Sequence, residues 1–96
     1  MTRPTVLRRM KLGPAHPPTG ETRHYYGTVE LPPPVELRIA QHVGDDGFYL
    51  FYCDETGREQ ADTYHNSLEA AMQQAEFEFG VKPDEWEVVD PTPPPN

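Results

Sequence analysis

The sequence predicts an α+β fold: a small antiparallel sheet covered on one face by one helix, in the order β-β-β-α-β, with Tyr25 to Leu31 offering an extra N-terminal strand. Three observations point there. Residues 35 to 82 contain no proline although the 96-residue chain has 12, so helices and interior strands, which need every backbone N–H, are permitted in that stretch. Within it, apolar residues first recur at every second position and then at helical spacing. At this length there is room for a single core.

The first strand follows from Val35, Leu37 and Ile39 alternating with Glu36, Arg38 and Ala40, the period of a strand buried on one face. Gly44-Asp45-Asp46-Gly47 supplies a turn, and Phe48 to Cys53 reads as a central strand that is apolar or aromatic on both faces. Its pattern leaves two parities open: either Leu50 and Tyr52 or Tyr49 and Phe51 face the core. Asp54-Glu55-Thr56-Gly57 has the form of a tight hairpin connection, with Gly57 free to take positive φ, and Arg58 to Tyr64 returns as the third strand. Asn66 or Ser67 can cap the helix. Leu68, Met72, Ala75 and Phe79 trace one helix face, with Ala71 beside them; Gly80 suits a left-handed C-terminal position, Val81 a hydrophobic contact behind it, and Pro83 a stop. Trp86 to Val89 is the final strand, with Trp86 and Val88 on one face. The expected core is therefore Leu37, Ile39, Leu50, Tyr52, Leu68, Met72, Phe79, Val81, Trp86 and Val88.

Charge divides the chain unevenly. Residues 1 to 24 hold five basic residues against Glu21, a balance of +4, whereas residues 25 to 96 hold three basic and 15 acidic residues, a balance of -12. Head and body should attract each other. With Gly13-Pro14, Pro17-Pro18 and Gly20 and no sustained period, residues 1 to 24 read as a basic flexible arm, residues 25 to 90 as the α+β domain, and residues 91 to 96 as a Pro-rich tail.

Motifs for catalysis are missing: no glycine-rich phosphate loop after a strand, no His-Glu-x-x-His helix, no Gly-x-Ser-x-Gly elbow, no calcium-loop spacing. Cys53 and His65, with Asp62 as orienter, are the residues from which an enzyme would have to be built, since an imidazole can raise the thiolate fraction of a neighbouring cysteine. His65 with Asp62 or Glu69, and His42 with Asp45 and Asp46, are the mixed sets from which a metal site would be built, but their spacing is scattered. The expectation is a protein that is not an enzyme and needs no cofactor or metal. One cysteine excludes an internal disulfide, and no apolar run reaches the roughly 20 residues of a membrane span, so the expected setting is cytoplasmic with no membrane partner.

Binding is the better lead. Glu69, Glu76 and Glu78 on the helix, followed by Asp84, Glu85, Glu87 and Asp90, create a negative field suited to a basic protein. Phe77 lies about 180° around the helix from Leu68 and so points away from the core. The predicted contact set is Phe77, Glu76, Glu78, Asp84 and Glu85. Tyr49, Phe51 and Phe77 alternatively serve self-association, making the chain a structural or accessory subunit. Nucleic acid is a poor partner, because only Arg3, Arg8, Arg9 and Lys11 of the head could reach phosphates while the body repels them. The segment Tyr64-His-Asn-Ser-Leu-Glu-Ala-Ala-Met-Gln-Gln-Ala-Glu-Phe-Glu-Phe-Gly80, followed by Trp86, resembles in composition and layout the helix of small bacterial proteins, some of the immunity type. That resemblance implies an inhibitory or immunity-type binder and carries no residue roles with it.

Overall fold

A computed structural model of the chain describes residues 4–14, 16–17, 25–26, 28–30 and 32–89. Strands β1 (Thr5–Lys11), β4 (Glu36–Gln41), β5 (Phe48–Cys53), β6 (Glu59–His65) and β7 (Glu87–Val88) form an antiparallel sheet in the order β6-β5-β4-β1-β7. Helix α1 (Leu68–Phe79) packs on β4, β5 and β6. This is the small α+β architecture the sequence predicts.

The extra N-terminal strand is not the one expected. Residues 5–11, read from sequence as part of a flexible arm, form an interior strand hydrogen-bonded to β4 on one side and β7 on the other. Tyr25 to Leu31 instead supplies β2 (Tyr25–Tyr26) and β3 (Val29–Glu30), which pair with each other outside the main sheet. The physical reason is a bulge in β1: pairing jumps from Val6–Ala40 to Arg8–Ile39, so the apolar period breaks at Leu7 and an arginine lands on the helix side. Residues 18–24 and the tail 90–96 lie outside the described residues.

Pairing settles the parity of β5. Leu50 stands opposite Ile39 and Tyr52 opposite Leu37, all four fully or almost fully buried under α1. Ala71 and Ala75 let the helix approach the sheet closely, and Phe79, Val81, Trp86 and Met10 close the core, with Leu68 and Met72 packed at its border. Val88 departs from expectation. It follows Trp86 on the helix side but sits on the far edge strand, beyond the reach of α1, and is 67% exposed.

Local chemistry fixes the ends. Ser67, not Asn66, caps α1, its Oγ accepting the Ala70 N–H at 3.0 Å. Gly80 takes φ 69° and donates its N–H to the Glu76 carbonyl at 2.8 Å. Pro83 opens a 3-10 turn, Pro83–Glu85, in which Glu85 accepts the Lys82 N–H at 2.7 Å. In the β5–β6 hairpin Asp54 Oδ1 accepts the Thr56 N–H, the Thr56 hydroxyl and the Arg58 N–H at 2.9, 2.6 and 3.0 Å, and Gly57 has φ 84°.

Candidate functional site

The expected contact residues do not all reach the surface. Glu76, Asp84 and Glu85 are exposed and Phe77 is half-exposed, but Glu78 is buried, at 2%. Position 78 lies seven residues after Ala71 and three after Ala75, which places it on the packed face of the helix. Glu78 therefore leaves the predicted contact set. Its carboxylate accepts a hydrogen bond from the Tyr52 hydroxyl and another from Gln74 Nε2 at 3.0 Å. Tyr52 Oη also lies 3.4 Å from Thr63 Oγ1, which is 2.7 Å from His65 Nε2. Burial, and then the hydrogen bond to Glu78, push the Tyr52 phenol well above its ordinary range, while burial pulls His65 below its own. The sequence gives no sign of this polar chain under the helix, because there Glu78 reads as surface charge.

On the solvent side of α1, Glu69, Met72, Gln73 and Glu76 line a groove of about 240 Å³ with Pro83 from the 3-10 turn. Met72 and Pro83 give it apolar walls, and two carboxylates border it. Asp84 and Glu85 belong to the same turn as Pro83. Glu85 is already engaged: the Lys82 N–H and His16 Nε2, the latter at 2.7 Å, hold its carboxyl below the usual range.

The nucleophile-and-base set is not assembled. Cys53 pairs with Glu59 and His65 with Phe48, at opposite ends of β5, which puts them about 17 Å apart along the strand. Asp62, opposite Phe51, is on the face away from the helix, whereas His65 reaches Thr63 on the helix side. Burial pushes the Cys53 thiol up to about 11, so little thiolate forms near neutrality. Among the described residues no three His, Cys, Asp or Glu side chains gather as metal ligands. Asp45, one of the residues considered for a metal, is occupied by the Gly47 N–H at 2.9 Å and the Tyr64 hydroxyl at 3.0 Å.

The sheet face away from α1 is aromatic. Tyr49 and Phe51 lie side by side with centroids 5.9 Å apart and planes 13° from parallel; Tyr64 and His42 meet Tyr49 edge-on at 5.0 and 5.1 Å. Tyr64 is 50% exposed and covers Gly47, where a Cβ would fall 1.8 Å from its Oη. Arg9 and Arg38 stand opposite each other on this face, each held by a glutamate: Arg9 Nε to Glu87 Oε2 at 2.7 Å, and Arg38 to Glu36. Of these two pairs, Arg9–Glu87 joins the basic head to the acidic body.

Among the described residues no helix is long and apolar enough to cross a membrane. No protein family, curated sequence or solved structure matches the chain.

Proposed function

We propose that this chain is a small protein-interaction domain, not an enzyme, and that it holds a basic protein against the solvent side of α1. The observation that carries this reading is the groove on that helix. α1 contains three glutamates and no lysine or arginine, and two of those glutamates, Glu69 and Glu76, border a cleft whose apolar walls are Met72 and Pro83. A lysine or arginine side chain suits such a cleft, its methylene stem lying on the apolar wall and its charge between the carboxylates. Phe77, half-exposed beside Glu76, adds an aromatic anchor, and Asp84 extends the negative rim. The single cysteine, free and buried, is in keeping with a cytoplasmic setting.

The test is affinity capture from extract of the native cells, comparing the wild-type chain, E69K/E76K and Phe77→Ala at low and high salt. The expected result is a basic protein retained by wild type, released by salt, lost by E69K/E76K and weakened by Phe77→Ala, with all three baits folded. Equal retention by wild type and E69K/E76K would remove α1 from the interface and refute this reading.

A further inference from the structure

We infer that the sheet face opposite α1 is the contact surface of a symmetric homodimer, in which two copies stack sheet on sheet about a twofold axis running parallel to the strands between β4 and β5. The cross-strand register distributes charge unevenly over this face. On this face β6 presents Glu59 and Asp62, whereas β1 presents Arg9 and Lys11. Two strands, β5 and β4, separate the acidic strand from the basic one.

Three rows of residues cross the face from β6 to β1. The first is Glu59, Cys53, Glu36 and Lys11; the second is Asp62, Phe51, Arg38 and Arg9; the third is Tyr64, Tyr49, Ala40 and Val6. A twofold axis along the strands lays each row over its own reverse. Glu59 then meets Lys11 of the second copy, Asp62 meets Arg9, Phe51 meets the Arg38 guanidinium, Tyr49 meets Ala40 and Tyr64 meets Val6. Both acidic residues of β6 find cations, Arg9 being one that Glu87 also holds, while Glu36, held by Arg38 of its own chain, falls on Cys53; one aromatic finds a cation suited to its ring face, and the larger rings fall on small or branched apolar residues. A surface that matches its own reverse is what an isologous twofold contact requires. A foreign partner would give no reason for the two halves of one face to be complementary to each other.

The remaining features agree. Tyr49 and Phe51 are only half-buried and Tyr64 is half-exposed, so the face keeps apolar area that α1, on the other side, cannot cover. Sheets pack face to face with strands roughly aligned, which the proposed axis allows. The groove on α1 points the other way and stays open in the dimer, so the two surfaces succeed or fail independently.

Lys11 and Glu59 are both exposed, so reversing their charges should leave the fold intact, which far-ultraviolet circular dichroism and a thermal melt verify. Sedimentation velocity of the full chain from about 1 to about 500 μM then reads the monomer–dimer equilibrium. The wild type should dimerise within that range. Each single variant, K11E or E59K, should raise the dimer Kd by about tenfold or more, because the twofold axis repeats every clash. The double variant K11E/E59K should recover to within about threefold of wild type, since both contacts are restored with reversed sign. A wild type that stays monomeric throughout would overturn the proposal. So would single variants as tight as wild type, or a double variant no tighter than the singles.

Discussion

Along β4 and β5, neighbouring residues meet opposite fates. Leu37, Ile39, Leu50 and Tyr52 are at most 1% exposed beneath α1, while Arg38, Tyr49 and Phe51, interleaved with them, stay partly open on the other side. The helix side is sealed by aliphatic and aromatic packing, and beneath the helix its polar groups form the hydrogen-bonded chain from Glu78 through Tyr52 to Thr63 and His65. The outer side mixes rings with paired charges. A face that is finished within one chain needs shape and dryness, whereas a face that combines exposed rings with charges of both signs has the makings of recognition. The comparison separates what holds this fold together from what is available for binding.

The largest expected effect tests that separation directly. Leu50→Ala removes a fully buried side chain beneath α1 and should cost about 2 to 5 kcal/mol, enough to unfold much of so small a domain. Phe51→Ala, one residue later on the open face, should cost only about 1 kcal/mol in the monomer. Urea denaturation at low micromolar concentration measures both. Similar losses at the two positions would mean that the outer face is as much a core as the inner one.

The two faces were not equally legible in the sequence. The helix side was readable because its residues obey one period at a time: Leu37 and Ile39 alternate, Leu68, Met72, Ala75 and Phe79 recur at helical spacing, and Ser67, Gly80 and Pro83 punctuate the helix as their chemistry demands. β1 is hard to read because its bulge interrupts alternation and because Arg8 and Arg9 occupy both faces, so in sequence the segment has the look of a basic arm. Period alone puts Val88 with Trp86 in the core but does not tell how far a helix reaches across a sheet. The charge of Glu78 suggests the surface, but on a helical wheel it falls only about 20° from Ala71, on the packed side, and the wheel is the better guide. Of the groove on α1, the sequence points to Glu69 and Glu76 through the acidic field and to Glu76 as a contact, while its periodicity places Met72 in the core and its punctuation makes Pro83 a helix stop. The sequence offers the outer aromatic face only as an alternative, since whether Tyr49 and Phe51 turn outward depends on pairing that the pattern of an all-apolar strand leaves undetermined.

A smaller effect distinguishes the two faces by a single hydroxyl. Tyr52→Phe keeps the ring in the core but takes one donor from the buried Glu78 carboxylate, and a hydrogen bond to a charged group contributes about 1.5 to 3 kcal/mol. Tyr49→Phe removes a hydroxyl from the open face and should change stability by no more than about 0.5 kcal/mol. Thermal melts of the two variants side by side give the contrast. Equal shifts would show that the Tyr52–Glu78 contact adds nothing beyond ring packing.

The smallest effect concerns the turn that keeps the faces distinct, because slipping the β5–β6 register by one residue would exchange inner and outer side chains. Asp54 helps hold that turn through three hydrogen bonds to one oxygen, and those bonds, led by the Thr56 hydroxyl, keep its carboxyl below the ordinary aspartate range. Its folded form thus takes up a proton less readily than the unfolded chain. The stabilisation is complete above the unfolded pKa of about 4 and is lost as pH falls through the lower, folded value. His65, also pulled down, shifts stability in the same direction but starts near pH 6.5, so it must be subtracted. Comparing wild type with D54N does this, because both retain His65 and only one titrates at position 54. The wild type should be the more stable near neutrality, and the gap between the two urea midpoints should close as pH drops below about 4. A gap that stays constant into acid would show that Asp54 holds the hairpin by shape alone, with its charge playing no part in keeping the two faces in register.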